Sequence, residues 1–281
     1  MTGKEMLSSG ERILKDVGIT EYKQDTWILF SEVTGWDMGE YLVNEDVPVL
    51  PESVEKFRIL IKKRAERVPV QYILGHQSFM GLDFKVTTDV LIPRLDTEVL
   101  VEKASSYVKS GDRILDMCTG SGCILISLLH GREGIEGVGV DVSKSAVNIA
   151  RENGILNNVP AEFSVSDLFE NVSGKFDMIV SNPPYISSKD INDLMPEVRD
   201  FEPAGALDGG ENGLDFYERI AKEAPSYLKD GGRIILEVGY NQAEAVKRLL
   251  LENGFTNIEI TKDLAGIDRV VCGVFGDTDD E

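Results

Sequence analysis

The 281-residue chain is long enough for one large domain and one small domain. Its hydrophobic fraction of 42% and mean hydropathy of -0.11 are ordinary for a soluble globular protein and exclude a mainly disordered chain. The net charge of -20, from 49 acidic and 29 basic residues, argues against a protein that holds nucleic acid through its phosphates and favours a protein partner.

The sequence also lacks the usual signs of a membrane, secreted or zinc-binding protein. No run approaches the roughly 20 apolar residues of a membrane span, and charged residues interrupt Met1–Lys15, so no signal peptide is expected. We therefore expect a cytoplasmic protein whose cysteines stay reduced. The cysteines and histidines do not have the spacing of a zinc site, so no metal is expected.

Residues 1–75 show the apolar spacing of helices. Two apolar helix faces are predicted: Met6, Ile13, Leu14 and Val17 on one, and Val54, Phe57, Leu60 and Ile61 on the other. Pro51 suits a first helical position. We predict a small helical domain here. The basic cluster Lys62, Lys63, Arg64 and Arg67 is interpreted as a solvated helix face, with a docking patch as the alternative.

The segment from Phe79 to Ile92 alternates apolar and polar residues around Gly81 and Asp83, which predicts a β-hairpin. We assign residues 76–92 to this hairpin linker and residues 93–276 to a second domain. The acidic tail Asp277–Glu281 is interpreted as a frayed end.

Beyond the hairpin, apolar strand runs alternate with helical stretches. The predicted strands are Arg113–Met117, Gly137–Asp141, Phe163–Ser166, Phe176–Ser181, Arg233–Val238 and Val270–Phe275. Such alternation is typical of an α/β, Rossmann-like, doubly wound parallel sheet. Because no helix-length segment separates Asn257–Ile260 from Val270–Phe275, the final strand is expected to insert antiparallel.

The first motif at a strand end is Asp116–Gly122. Ligands of open α/β sheets bind beyond the carboxyl ends of the strands. Gly120 and Gly122 let a ligand approach the backbone, and the following helix start offers free N–H groups. A purely structural glycine turn is the alternative. A nicotinamide-binding fingerprint fails, because Leu125 stands where its third glycine is required.

Two further strand ends extend this motif into a predicted nucleoside site. Asp141 lies about 20 residues further on, where a carboxylate accepts hydrogen bonds from ribose hydroxyls; a cap for the helix near Ser143 is the alternative. Asp167–Leu168 is expected to border the adenine. The predicted cofactor-binding residues are Cys118, Thr119, Gly120, Ser121, Gly122, Asp141, Leu168 and Asn182.

The fourth strand ends in Asn182–Tyr185, the most informative string in the chain, and we predict that Asn182, Pro183, Pro184 and Tyr185 are catalytic. The prolines restrict the loop and hold Asn182 rigidly. Its side-chain oxygen and the Pro183 carbonyl would accept both protons of a substrate NH2 group, leaving the nitrogen lone pair facing a methyl sulfonium. Such orientation lowers the barrier for a poorly nucleophilic amide. Tyr185 is expected to line the slot for the planar group, and an ordinary Pro-Pro turn is the alternative.

The string Asn-Pro-Pro-Tyr resembles the signature of N-methyltransferases acting on adenine, guanine or glutamine. Further segments resemble the bacterial peptide chain release factor glutamine methyltransferases over nearly the whole chain: Pro69–Gly75, Ile92–Arg94, Asp96–Glu98, Glu202–Pro203, Ala206–Gly210, Gly213–Tyr217 and Glu237–Tyr240. The resemblance implies a class I methyltransferase domain with an amino-terminal helical domain for substrate recognition, joined by the hairpin.

The resemblance also implies the reaction. S-adenosylmethionine would methylate the glutamine in the Gly-Gly-Gln loop of class 1 release factors, yielding N5-methylglutamine and S-adenosylhomocysteine and modulating translation termination. We expect a monomer without direct contact to nucleic acid. Two positions depart from the family pattern: Cys118, where a glycine is common, and Leu95, where a proline is common. At Cys118 the backbone is expected to avoid a glycine-only conformation, and the thiol is a candidate to crowd the cofactor.

Other functions remain as alternatives. A ribosomal-protein glutamine methyltransferase shares the fold and signature, although Asp96–Glu98 favours the release-factor branch. The charge argues against a nucleic-acid N-methyltransferase, Leu125 against a nicotinamide oxidoreductase, and the intact Asn182 against a silent binding module. The segment Ile186–Asp208 is interpreted as a mobile cover or, equally, as an inert surface loop.

Overall fold

The computed structural model describes residues 1–276, so the predicted acidic tail Asp277–Glu281 lies outside the described residues. The chain divides into two compact units. The helical unit consists of Met1–Gly75 and Met195–Phe201, and the sheet unit consists of His76–Leu194 and the chain from Glu202 onward. Within the described part of the chain, no helix is long and apolar enough to cross a membrane.

The helical unit is a bundle around a small apolar core. Its first five helices are α1 (Gly3–Asp16), α2 (Tyr22–Thr34), α3 (Met38–Asn44), α4 (Pro51–Ala65) and α5 (Val70–Leu74). A capping box starts α1, since Thr2 Oγ1 accepts from the Glu5 N–H and Glu5 Oε2 accepts from the Thr2 N–H. Pro51 occupies the first turn of α4, as predicted.

One predicted helix face is wrong in part. Met6 and Leu14 are fully buried, but Ile13 and Val17 are each 40% exposed. The buried residues of α1 recur every three or four positions: Gly3, Met6, Gly10 and Leu14. Ile13 lies at the edge of this face, about 100° from Leu14, and Val17 follows the last residue of the helix. On α4, Phe57 and Ile61 are buried as predicted.

The predicted basic face on α4 is split between solvent and core. Lys62–Lys63 is exposed, but Arg64 is buried. Its Nε donates to Asp25 Oδ2 over 2.7 Å, and a terminal nitrogen donates to Glu197 Oε1 over 3.0 Å. Arg67 donates to the same oxygen over 3.1 Å. The seven residues Met195–Phe201, which the sequence placed in the second domain, therefore belong to the helical unit through buried ion pairs.

The sheet unit begins with the hairpin β1 (His76–Phe79) and β2 (Leu82–Lys85), whose strands end seven residues before Ile92. The remaining elements in chain order are α6 (Leu95–Ser105), β3 (Arg113–Met117), α7 (Cys123–Leu129), β4 (Glu136–Asp141), α8 (Lys144–Leu156), β5 (Glu162–Val165), β6 (Phe176–Ser181), α9 (Pro196–Arg199, in the helical unit), α10 (Asp215–Glu223), β7 (Leu228–Glu237), α11 (Ala243–Glu252), β8 (Phe255–Lys262) and β9 (Asp268–Phe275).

The sheet has the strand order β5-β4-β3-β6-β7-β9-β8. Strands β3 to β7 pair in parallel, and β9 inserts antiparallel between β7 and β8. The predicted Rossmann-like class and the antiparallel last strand are confirmed. Along β3, Ile114 packs in one core layer, whereas Leu115 and Met117 pack in the other, because successive strand residues point to opposite faces. Helices thus cover both faces, and the site lies beyond the carboxyl edge.

Candidate active site

The end of β3 and the loop after it, residues 116–122, contain three residues with left-handed backbone. The φ angles of Cys118, Gly120 and Gly122 are 59°, 55° and 80°. A Cβ at Gly122 would lie 3.0 Å from Ile126, whereas a Cβ at Gly120 would meet no atom within 4 Å. Gly122 is therefore required by close packing and by its backbone, while Gly120 leaves open space for a ligand.

Cys118 adopts the left-handed region that favours glycine, although that region is not closed to other residues. Its side chain is half-buried, and burial raises the pKa of the Cys118 thiol, with the carboxylates of Asp141 and Asp116 adding to the rise. The thiol is therefore protonated at neutral pH. An acidic, poorly accessible surrounding does not favour a nucleophilic cysteine.

Asp116 anchors the base of the loop. It is fully buried, and its Oδ2 accepts from Thr119 Oγ1 over 2.6 Å. Burial raises the pKa of Asp116 to about 7, with the Thr119 hydrogen bond acting in the opposite direction. The Thr119 N–H donates to the Val140 carbonyl on β4, so the loop is tied to the neighbouring strand.

Asp141 ends β4 and links two backbone segments that border the site. Its Oδ2 accepts from the Gly120 N–H and its Oδ1 from the Ser143 N–H, each over 2.9 Å. Burial raises the pKa of Asp141, against the lowering effect of these hydrogen bonds. The N-cap of α8 is Ser143, which accepts from Ala146, so Asp141 is not that cap. These backbone hydrogen bonds leave the carboxylate acceptor capacity for a ligand hydroxyl.

The loop after β5 supplies Asp167 and Leu168. Leu168 is 3% exposed and has a φ of 46°, again left-handed. Asp167 forms an ion pair of 2.8 Å with Arg219, and both side chains are more than 40% exposed. Leu168 thus offers an apolar wall, while the ion pair lies at the rim.

The loop after β6 is held at both ends by side chains. Ser181 Oγ donates to the Met117 carbonyl over 2.6 Å, which joins the ends of β6 and β3. Asn182 Nδ2 donates to Thr97 Oγ1 over 3.2 Å. The Tyr185 carbonyl accepts from Gln242 Nε2 over 2.9 Å. Burial raises the pKa of Tyr185 to about 12, so its hydroxyl is protonated.

These loops enclose a cavity of 370 Å³ within the sheet unit, inside the range of about 300–1,000 Å³ for small-molecule sites. Most predicted residues line it: Cys118, Thr119, Gly120, Ser121, Asp141, Leu168, Asn182 and Pro184. Gly122, Pro183 and Tyr185 are not among its lining residues, and Pro183 is buried behind it.

The cavity has further walls that the sequence did not predict. They come from the segment before α6, from α6 itself and from the chain around residue 205: Asp89, Val90, Leu91, Pro93, Arg94, Thr97, Pro203, Gly205 and Ala206. Glu237, buried behind Asn182 at the end of β7, was also missed. It occupies the carboxyl end of a parallel strand, so the rule that singled out Asp141 applies to it as well.

The segment Ile186–Asp208 is closed at its base. The Ile186 N–H donates to the Leu207 carbonyl, and the Gly209 N–H donates to the Ile186 carbonyl. Ser188 Oγ also donates to Asp208 Oδ1 over 2.7 Å. Its central residues belong to the helical unit, while Pro203, Gly205 and Ala206 line the cavity. Part of this segment therefore belongs to the helical unit, and another part lines the cavity of the sheet unit.

Comparison with known proteins gives consistent results. The PrmC N-terminal domain family matches residues 5–75, and the Methyltransferase small domain family matches residues 85–198. The chain is 42% identical to the release factor glutamine methyltransferase of Geobacter sulfurreducens, over 98% of this chain and 97% of that protein. It is also 42% identical to the enzyme of the same name from Rhodospirillum rubrum, over 94% and 82%. The crystal structure of a methyltransferase from Pyrococcus furiosus shares the fold, with a TM-score of 0.57 and 18% identity over 77% of this chain and 100% of that one.

Proposed function

The chain belongs to the release factor glutamine methyltransferases, and from this premise we propose that it transfers a methyl group from S-adenosylmethionine to the side-chain nitrogen of the glutamine in the Gly-Gly-Gln loop of class 1 release factors. The observation that carries the proposal is Asn182, held on a proline-stiffened loop beside the same cavity as Asp141.

The cavity residues fit S-adenosylmethionine. The open space above Gly120 admits a ligand against the backbone, and the Asp141 carboxylate keeps acceptor capacity for a ribose hydroxyl. Leu168 offers an apolar surface to a base. When bound, the cofactor supplies a methyl group on a positively charged sulfur. The protein's task is then to orient the acceptor nitrogen and exclude water.

We assign the orienting role to Asn182 and Pro183. The Asn182 Nδ2 group is already engaged by Thr97, which leaves its Oδ1 for a substrate proton. The Pro183 carbonyl oxygen is assigned to the second proton. With both protons held, the lone pair of the substrate nitrogen is directed out of the amide plane toward the methyl group. Pro184, which lines the cavity, and Tyr185, beside it in the chain, are assigned to the slot for the planar amide.

A protein substrate also agrees with the charge of the chain. A net charge of -20 repels phosphate backbones at long range, so we propose no direct contact with nucleic acid. The helical unit is assigned to substrate recognition, and the active form to a monomer. Binding away from the glutamine would help to orient it, so short Gly-Gly-Gln peptides should be much poorer substrates than the intact factor.

The test incubates the protein with labelled S-adenosylmethionine and five acceptors: an intact class 1 release factor, its Gln→Ala variant, a free Gly-Gly-Gln peptide, ribosomal RNA and duplex DNA. Mass spectrometry locates the added methyl group. We expect label on the glutamine nitrogen of the intact factor. Label on nucleic acid, or equal label on the Gln→Ala factor, would overturn the substrate assignment.

A further inference from the structure

A buried carboxylate lies behind the proposed catalytic asparagine. Glu237 ends β7, next to the strand that carries Asn182, and is 1% exposed. Among the described residues its Oε2 atom has no hydrogen-bond partner. Burying a carboxylate in this way is costly, and none of the steps proposed above for the substrate uses it.

The contacts of Glu237 lead directly to the site. The side chains of Thr97 and Asn182 lie close enough to its carboxyl group to lower its pKa as hydrogen-bond donors. Asn182 Nδ2 also donates to Thr97 Oγ1 over 3.2 Å, and Thr97 is 2% exposed. The side chains of Thr97 on α6, Asn182 in the loop after β6 and Glu237 on β7 thus form one network.

The network determines which way the Asn182 amide points. An ionised carboxylate only accepts hydrogen bonds, so it must face the NH2 side of the amide. The two protons of Nδ2 are then engaged by Thr97 and Glu237. Oδ1 is left for the cavity, which Asn182 lines. A charged acceptor behind Nδ2 also draws electron density toward Oδ1, because hydrogen bonds in a chain polarise one another.

We propose that the ionised carboxylate of Glu237 is a positioning residue for methyl transfer, which fixes the Asn182 amide with Oδ1 toward the substrate amide and strengthens that oxygen as an acceptor. The inference rests on the proposed function. Because Glu237 is 1% exposed and its polar neighbours are the side chains of Thr97 and Asn182, we assign it a role through Asn182 and not a contact with the substrate.

The surroundings of Glu237 set the pH at which it ionises. Burial raises the pKa of Glu237 to about 7, opposed by the Thr97 hydrogen bond and by the charge of Arg269. The titratable groups that face it are Asp96, Cys123, Tyr185, Tyr217 and Arg269. The carboxylate therefore becomes charged near neutral pH. Its effect on the orientation of the Asn182 amide should appear as the pH rises through the pKa of about 7.

The first experiment measures kcat for the intact release factor at saturating S-adenosylmethionine, from about pH 5.5 to about pH 8.5. Wild-type kcat should rise through about pH 7 and then level off. In Glu237→Gln that rise should be absent, and the plateau should be about five- to tenfold lower, because a neutral acceptor replaces a charged one. Cofactor affinity, measured by calorimetry, should be unchanged.

A matched control separates this effect from buried acids in general. Asp116 is also fully buried with a pKa raised to about 7, but its carboxylate bonds to Thr119 instead of Asn182. The kcat of Asp116→Asn should therefore still rise through about pH 7, as in the wild type. The inference is contradicted if the rise of kcat near pH 7 persists in Glu237→Gln, or if it is lost in Asp116→Asn alone.

A second measurement does not depend on turnover. The side-chain NH2 protons of Asn182, assigned by NMR from their loss in Asn182→Asp, should exchange slowly in the wild type. They should exchange at least about tenfold faster in Glu237→Met, which removes the acceptor at similar size. Equal protection in both proteins overturns the inference. If no release factor is methylated by the wild type, the proposed function fails, and the exchange result still decides the role of Glu237.

Discussion

Two of the loops that border the cavity are built by different means. The loop of residues 116–122 presents backbone: left-handed residues expose main-chain groups, and Asp141 holds them through the Gly120 N–H. The loop of residues 182–185 presents an oriented side chain, supported by prolines, by Gln242 and by the network of Thr97 and Glu237.

This difference matches the two chemical tasks that we propose for these loops, cofactor binding and orientation of the substrate amide. Carboxylate oxygens and main-chain groups can hold the hydroxyl and amine groups of a cofactor. Such a site needs open space beside the backbone more than it needs a rigidly oriented side chain. A substrate amide must be held at one angle, so its partner must not rotate. We therefore expect substitutions in the second loop to change rate, and substitutions around the first loop to change affinity or stability.

The largest effect is expected at Asn182. Asn182→Ala should lower the single-turnover rate of methyl transfer by on the order of 100-fold or more, because positioning and polar preorganisation are lost together. Cofactor affinity should change far less. Asn157→Ala is the control, since it removes an asparagine that bonds backbone carbonyls at the end of α8. A near-normal rate in Asn182→Ala would contradict the assignment of Asn182 as the residue that orients the substrate amide.

The sequence predicted the strands and strand-end residues of these loops better than the distant side chains that hold the loops in place. Phe176–Ser181 was predicted with its observed bounds, because its apolar run Met178–Val180 is typical of a strand buried on both faces. Asn182 and Asp141 followed from their places at strand ends. Thr97 was missed as a partner because it lies 85 residues from Asn182, and no local pattern joins them.

The helical unit shows the same limit. Arg64 stood in a basic cluster and was interpreted as solvated, yet its partner Glu197 lies 133 residues away. The sequence had assigned Glu197 to the second domain. Burial of a charged residue depends on such a partner, and only the folded chain supplies it.

The second prediction concerns the first loop. Asp141→Ala should weaken binding of S-adenosylmethionine by about 1.5–3 kcal/mol, the range for hydrogen bonds to a charged group. Calorimetry measures this. Asp112→Ala is the matched control, because Asp112 also accepts from a backbone N–H, at Lys109, but does not line the cavity. Equal affinity in wild type and Asp141→Ala, with an intact fold, would make Asp141 a purely structural brace.

The third prediction uses the buried acid beneath the first loop. The pKa of Asp116 in the folded protein is raised from 3.8 to about 7 by burial. Between these values the folded state keeps a proton that the unfolded state has lost, so the stability contributed by this group is present below about pH 4 and is lost as the pH rises to about 7.

Denaturant titrations of wild type and Asp116→Asn test this sign. The difference in unfolding free energy between the two proteins should change by at most about 1.4 kcal/mol per pH unit in this window and be constant above it. Comparing the two proteins cancels the contribution of Glu237, whose pKa is shifted in the same direction. A pH-independent difference would mean that Asp116 is ionised throughout.

The smallest effect is expected at Cys118, where the first loop carries a side chain in the left-handed region. Cys118→Gly removes the conflict between Cβ and the backbone but gives the unfolded chain more conformational freedom, so we expect stabilisation of no more than about 1 kcal/mol.

Cys118→Ala separates an effect of the backbone from an effect of the thiol, because it keeps the Cβ and removes only the thiol. If the backbone is the cause, thermal and denaturant unfolding should show a gain for Cys118→Gly alone. If instead the thiol crowds the cofactor, both variants should bind S-adenosylmethionine more tightly than the wild type. Equal stability and equal affinity in all three proteins would contradict both explanations, because the loop would then accept a non-glycine residue without measurable effect.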